Sequence, residues 1–470
     1  MKYSLFAGGL LLATTTLAAS ADWQALHEQA LAQLQQGHYT EAEALARQAL
    51  TAAQAQLPES APVVTSLRSL ADIEAAQHVD APAEAHYKQA LALDEKLHGD
   101  EQAALDTDLD QLASFYASRY RFDEALPLYQ RRVSIFEAAY GPSHPAVAER
   151  LLDVAGLQRQ LGHYAQAELL YQRALDIDTA EYGPNTRAVA ARLSELAATH
   201  AEGGNYKAAE MDYARLLDVQ AAISGLDPAY HAHSLEALAR LKLCEQEYRA
   251  AGKLLRQAAS LYADSPGNNA LAQAANLGLQ ADCARLSGHY ADAAALYLNA
   301  LNQYQTLLGP GQPGADTLPA ATLPDWALVL DHAAVNSAAL AQDAEALARF
   351  TQAQALYQQA LGDSSIGLAQ TLCDLADFKL ARKNADDAEP LYWQALAMRE
   401  KTQGADHPDV ASAMQALARL DTANKAFTQA EVMLKQALTL DEQAYGKDSP
   451  LLAPVRQALE EVQKREKNLN

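Results

Sequence analysis

The sequence predicts an all-α protein built as an array of paired helices, and three observations carry that prediction. First, a pattern of the form x-x-x-Ala-x-x-x-[Tyr/Leu/Ala], opened by an aromatic in eight of its occurrences, recurs ten times, with Ala83, Ala125, Ala167, Ala209, Ala251 and Ala293 each 42 residues apart. Ala42, Ala353, Ala388 and Ala430 extend the series at altered spacing. Second, 50% of the 470 residues are hydrophobic but only 7% are aromatic, and Leu and Ala dominate over β-branched types, a mixture that favours helix. Third, breakers punctuate the array at the expected distances, as in Gly141-Pro142-Ser143-His144-Pro145, Gly183-Pro184 and Gly404-Ala405-Asp406-His407-Pro408.

From the N-terminus, Lys2 precedes a short apolar run from Leu5 to Leu17, and Ala19-Ser20-Ala21 then offers a small-x-small cleavage pattern. Residues 1–21 read as a cleaved secretory signal, with Asp22 opening the mature chain and a periplasmic or secreted destination. The run is shorter than the roughly 20 apolar residues that span a bilayer, so a retained anchor is disfavoured and no membrane insertion is expected after cleavage. Acidic residues number 59 against 36 basic, a net charge of -23 that repels phosphate backbones, so nucleic acid is not an expected partner.

Each repeat reads as two helices. The first carries Leu-x-x-Leu-Ala, as at Leu67/Leu70/Ala71, Leu109/Leu112/Ala113, Leu151/Val154/Ala155, Leu193/Leu196/Ala197 and Leu235/Leu238/Ala239. Spacings of three and four place these side chains on one face, with alanine where another helix comes close. A turn follows, often with glycine, as in Leu161-Gly162-His163-Tyr164 and Gly203-Gly204-Asn205-Tyr206. The second helix opens on the aromatic, and Tyr87, Tyr129, Tyr171, Tyr213, Tyr297, Tyr357 and Tyr392 share one slot along it. Aromatics at fixed helical spacing supply buried area, so these are read as core.

The Leu, Ala, aromatic, Ala and aromatic positions resemble the signature of tetratricopeptide repeats, and the resemblance covers roughly residues 22–470. The 42-residue period and the Gly-x-x-His-Pro-x-Val-Ala linkers resemble the kinesin light chain subclass found in many bacterial repeat proteins. The resemblance implies a right-handed superhelical α-solenoid whose first helices line a concave binding face, and it implies no chemistry. Asparagines that follow the first leucine in that subclass are replaced here, by Leu67-Arg68-Ser69 and Leu109-Asp110-Gln111 for example, which puts cargo recognition of that type in doubt. The Lys/Asn clamp of chaperone-binding relatives is missing too.

Two spacings depart from the period. Leu301 to Leu361 is a step of 60, with the surplus in Gly309-Pro310-Gly311-Gln312-Pro313-Gly314 and onward to Pro324, and Leu361 to Leu396 is a step of 35. The domains expected are a signal at 1–21, a first array of about seven repeats at 22–304, a Gly/Pro-rich loop at 305–325, a second array of about three repeats at 326–448 and a cap at 449–470. In the cap, Leu452, Val455, Leu459 and Val462 form an apolar stripe.

Candidate chemistry is sparse. His231 and His233, near Asp227 and Glu236, lack the i, i+4 spacing that brings two imidazoles onto one face, and read as capping residues at a helix start. Pro310 and Pro313 remove backbone donors from the Gly-rich loop, so it is no phosphate cradle. Cys244 and Cys283 sit in consecutive first helices about a turn out of step, leaving either one bridge or, with Cys373, three buried or half-buried thiols, a reading that Cys283 on the apolar side of its helix fits best. No catalytic, cofactor or metal residue is expected. On the outward slots of the first helices stand Asp72, Arg159, Arg240, Arg285, Asp377 and Arg419. Arg159, Arg240 and Arg285 form the candidate strip for an acidic or carboxylate-bearing segment, unless each is paired with a neighbour such as Glu149 or Asp282. The leading reading is an exported scaffold that binds a peptide or protein on its concave face. A structural subunit of a cell-envelope or secretion assembly is the second reading, and a small-molecule-binding or catalytic protein the third.

Overall fold

In the computed structural model the described residues are 23–99, 102–265, 269–308 and 322–467. The proposed signal and the segment 309–321 lie outside them. The described residues are helices, short 3-10 turns and loops, in the repeated arrangement of an α-solenoid. By internal contacts the chain divides into two compact units, Met1–Leu157 and Gln158–Asn470.

The first unit contains α1 (23–35), α2 (Tyr39–Gln56), α3 (Ala61–Ala76), α4 (Asp80–His98), α5 (Asp106–Ser118) and α6 (Phe122–Tyr140), and the division falls within α7 (Pro145–Gln160). The second continues through α8 (Tyr164–Tyr182), α9 (Arg187–Glu202), α10 (Tyr206–Ala222), α11 (Pro228–Cys244), α12 (Tyr248–Asp264), α13 (Ala270–Leu286) and α14 (Tyr290–Leu308). It ends with α15 (Leu323–Ala339), α16 (Asp343–Leu361), α17 (Ile366–Ala381), α18 (Ala385–Gln403), α19 (Pro408–Ala423), α20 (Phe427–Tyr445) and α21 (Ala453–Lys467). Odd-numbered helices up to α19 are the first of each pair, even-numbered the second, and α21 is the cap.

Local chemistry sets the boundaries. Thr186, Asn205, Asp227, Ser365 and Asn384 accept first-turn backbone N–H groups at N-caps, while Gly183, Gly404 and Gly446 close helix ends. Within each pair the turn holds one residue in the left-handed region, with φ between 59° and 84°: Gly37, His78, Tyr120, Gly162, Gly204, Gln246, Gly288, Ala341, Lys383 and Lys425. From His78 to Gly288 these residues step by 42, and from Ala341 to Lys425 they step by 42 again.

That series corrects the register read from sequence in the eighth repeat. Five residues after each left-handed residue from His78 onward lies the buried alanine, which makes Ala346, not Ala353, the partner of Ala388 and Ala430. Phe350, not Tyr357, then fills the tyrosine slot, and Tyr357 stands in a slot seven residues later with Tyr262 and Tyr304. The steps of 60 and 35 become 53 and 42, so no short-form junction exists and the insertion is smaller. Packing also runs on past the Gly/Pro-rich segment: Tyr297, Tyr304 and Leu308 share a core cluster with Val329 and Ala333, and Asn336 donates to the Tyr290 carbonyl at 3.1 Å.

Tyrosines of the common slot are buried as expected, and Tyr87, Tyr297 and Tyr392 direct their hydroxyls to Asp72, Asp282 and Asp377. Val455 and Val462 of α21 cover the last repeat with Phe427 and Leu434. Cys244, Cys283 and Cys373 are separate thiols. Cys283 is half-buried, donating to the Tyr248 carbonyl at 3.1 Å, and Cys373 is buried, as read from sequence, whereas Cys244, at the end of α11, is exposed.

Within the second unit the chain meets itself. Tyr164 at the start of α8 stacks on Tyr445 at the end of α20, with centroids 6.0 Å apart and planes at 10°. At the adjacent turns a Cβ on Gly162 would stand 2.6 Å from Pro408 Cδ, and one on Gly204 would collide with Leu451. Six of the ten turns use a non-glycine residue at this φ, so at Gly162 the close approach of the Pro408 ring, beyond the backbone conformation, requires glycine, while at Gly204 the Leu451 side chain would have to swing aside. Gly37 and Gly288 have open space instead.

Candidate interaction surface

The first helices place the three candidate arginines in different circumstances. Arg159 of α7 reaches the next repeat, pairing with Glu195 at 3.3 Å and Glu202 at 3.6 Å on α9. Arg285 of α13 donates to the Tyr297 hydroxyl at 3.1 Å and pairs with Asp282 at 3.4 Å. Asp282 is almost fully buried and also holds His332 at 2.9 Å. Burial alone would raise its carboxyl, but His332, Tyr297 and Arg285 outweigh that and hold it below the ordinary range. Arg240 of α11 is exposed and has neither ion pair nor hydrogen bond among the described residues.

Beneath Arg240 lies a polar network. Glu236 accepts from the Tyr262 hydroxyl at 3.0 Å and from Asn276 at 2.8 Å, and His233 bonds the same hydroxyl at 2.8 Å. His231 and His233 therefore sit inside α11, with Asp227 as the cap and His233 committed to Tyr262, which corrects their reading as capping residues. The Tyr304 hydroxyl is buried without a partner, and both it and Asp325 feel the Arg240 charge. Burial pushes the Asp325 carboxyl up, with Arg240 opposing. Tyr213 feels both Arg240 and Arg159, so these two guanidiniums face one stretch of surface. Asp377 and Arg419 pair with each other at 2.8 Å, and Asp72 is taken by Tyr87 and Gln111. Among the described residues no group of three His, Cys, Asp or Glu stands where it could hold a metal ion, and no helix is long and apolar enough to cross a membrane.

Sequence reasoning missed Arg187 and Gln220. Arg187 opens α9 and, like Arg240, has no ion pair or hydrogen bond among the described residues. Gln220 is buried at the end of α10 with its Oε1 unpartnered. The signal was available, since Gln220 falls 42 residues after Asp178 and 42 before Tyr262, a slot that faces the next first helix.

Residues 102–180 and 367–443 match the tetratricopeptide repeat family, and the same paired-helix architecture runs through the other described residues. No curated protein shows detectable similarity to the chain. Among solved structures it is similar to BtubC from P. vanneervenii, with 20% identity over 54% of this chain and 91% of that one and a TM-score of 0.39. A Podosopora anserina putative kinesin light chain repeat protein is 21% identical over 46% of this chain and 97% of the other, with a TM-score of 0.34. A tetratricopeptide repeat protein from Parabacteroides merdae is 19% identical over 60% and 93%, with a TM-score of 0.40.

Proposed function

We propose that this protein is an exported, non-catalytic scaffold that binds a carboxylate-bearing segment of a partner protein along its first-helix face. The fold is one that supports protein–protein interaction. The observation that carries the finer reading is Arg240: an unpaired guanidinium on a strongly acidic protein, over tyrosine hydroxyls of which one has no partner. Guanidinium forks pair bidentately with carboxylates, and charge-assisted hydrogen bonds of this kind are worth about 1.5–3 kcal/mol each. Arg159 and Arg285 must share their charge with acids already bound, so Arg240 contributes most. The test is a crosslinking pull-down comparing the wild type with Arg240→Ala and with the triple Arg159→Ala, Arg240→Ala, Arg285→Ala variant. Loss of the same captured protein in both is expected; an unchanged profile in the triple variant moves the partner to another surface. Export is tested by N-terminal sequencing of the mature protein, expected to begin at Asp22.

A further inference from the structure

Two linkers between repeats carry the same Gly-x-x-His-Pro sequence, Gly141-Pro142-Ser143-His144-Pro145 ahead of α7 and Gly404-Ala405-Asp406-His407-Pro408 ahead of α19. Their backbones match. Gly141, His144 and Val147 donate to Glu137, Gly141 and His144 carbonyls, as Gly404, His407 and Val410 donate to Glu400, Gly404 and His407. In each the imidazole caps the next helix, His144 Nδ1 accepting from the Ala146 N–H at 3.1 Å and His407 Nδ1 from the Asp409 N–H at 3.0 Å. The surroundings differ. His144 is exposed against Tyr140, and Gly141 has open space around it. His407 is buried where the second unit meets itself: a Cβ on Gly162 would stand 3.2 Å from its Cδ2 and 2.6 Å from the Cδ of Pro408.

The buried ring fits there only when neutral. Its Nδ1 meets two donors, the Asp409 N–H and the Gln403 amide at 3.1 Å, and Gln403 also donates to Asp409 Oδ2 at 2.7 Å, which fixes the end of the amide that faces the ring. A proton on Nδ1 would oppose both donors and remove the cap. The charges around it come from three elements: Asp409 of α19, whose carboxylate at 3.8 Å favours the imidazolium, and Arg399 of α18 and His163 of the turn between α7 and α8, which oppose it. Burial, with Arg399 and His163, outweighs Asp409 and holds the ring below the ordinary histidine range. Glu202 of α9 repels Asp409, a strain that acid relieves and that therefore works against opening. The sign for His407 is set by linkage: a ring released from the contact takes up a proton near pH ~6.5, so the closed contact is complete above that pH and weakens as pH falls through it.

We propose that the stack of Tyr164 on Tyr445 and the seats of Pro408 and Leu451 at the Gly162 and Gly204 turns form a latch that acid opens through His407. The latch does not involve the arginine strip, and Arg240→Ala should leave it unchanged. Hydrogen exchange of the full-length protein between about pH 7.5 and about pH 5, each rate divided by the intrinsic rate at that pH, tests it. Below about pH 6.5 the Gly404, Val410, Leu452 and Asn205 amides are expected to lose protection together, by up to about tenfold per pH unit for one linked proton, while Gly141 and Val147 do not. His407→Asn and His407→Ser keep an acceptor for the cap and lose the titrating ring, so they should flatten the response. Asp441, raised by burial to about 6, acts in the opposite sense, and in Asp441→Asn the loss should be at least as steep. Constant protection across this range overturns the proposal, as does an equal loss at Val147 or an undiminished slope in the His407 variants. A loss confined to Val410, with Leu452 and Asn205 still protected, would be fraying of the cap and overturns it equally.

Discussion

The two units solve the same stacking problem with different side chains. In Met1–Leu157 every one of the seven arginines is in an ion pair. Arg132, almost fully buried, holds Asp106, Asp110 and Asp153 at 2.5–2.8 Å, and Arg68 joins Asp94 and Asp108 across a repeat junction. In Gln158–Asn470 the first junction keeps such a pair, Asp178 with Arg192 at 2.9 Å, but the next slots pass to Gln220 with Ser234 and to Tyr262 with Asn276 and Glu236, and two first-helix arginines, Arg187 and Arg240, are unpaired among the described residues. Saturated guanidiniums stabilise the stack and offer nothing to a partner. Spare ones mark where the second unit has hydrogen-bonding capacity left.

The sharpest way to break this contrast is Arg132→Ala. Three carboxylates would lose their shared cation, and we expect a loss of about 2–4 kcal/mol, below the full buried-pair value because two of the acids keep some water. Hydrogen exchange should register it within residues 23–157; a loss no larger than that of Arg240→Ala would erase the distinction between the units. Next in size, Gly162→Ala should cost about 1–3 kcal/mol more than Gly288→Ala, because it drives a methyl into the Pro408 ring, and Gly204→Ala should cost less than Gly162→Ala because Leu451 can turn its methyl aside. All three pay the same left-handed penalty, so the difference in melting isolates the contact of the second unit with itself. Equal costs would mean that Tyr164 and Tyr445 do not stack in solution. By the same contact, truncation from Pro450 onward removes Leu451 from Gly204 and should loosen the turns of α7–α10, as well as exposing the last repeat.

A smaller effect depends on pH. Burial pushes the Asp441 carboxyl up to about 6, while it accepts from Gln415 at 3.1 Å. The folded protein thus keeps a proton that the unfolded chain releases near pH ~3.9, so stability is present below that pH and is lost as pH rises toward 6. Asp441→Asn should remove this slope and stabilise the protein by about 1–2 kcal/mol at pH 7, read from denaturant unfolding at pH 4 and pH 7. The smallest effect is Arg240→Ala, expected to change unfolding by no more than about 0.5 kcal/mol because it breaks no ion pair. A larger loss would show that Arg240 serves the stack, and the interaction reading would weaken with it.

Much of the molecule was legible because its repeats are local. Leu-x-x-Leu-Ala in several first helices, the aromatic opening many of the second and the Gly-Pro linkers fix helix type, pairing and the burial of Tyr87, Tyr171 or Tyr392 without reference to anything distant. Arg159, Arg240 and Arg285 could be placed on first helices by spacing alone. Their state could not, since a partner such as Glu195 comes from another repeat and its distance depends on how the repeats stack. Gln220 and Arg187 escaped for the same reason: whether a polar group finds a partner is settled by several helices together.

The eighth repeat shows the boundary most plainly. Phe350, Ala353 and Tyr357 repeat the spacing of the aromatic, alanine and tyrosine that open other second helices, while Asp343 stands where the aromatic belongs. Seven residues are close to two helical turns, so a pattern displaced by seven falls on the same face, and periodicity cannot tell the two registers apart. The sequence by itself determined that this is a helical repeat array with a buried alanine and aromatic seam. The tertiary structure decided where the eighth repeat begins, by the left-handed turn at Ala341, and which arginines are spent, because both depend on contacts between residues that periodicity does not relate.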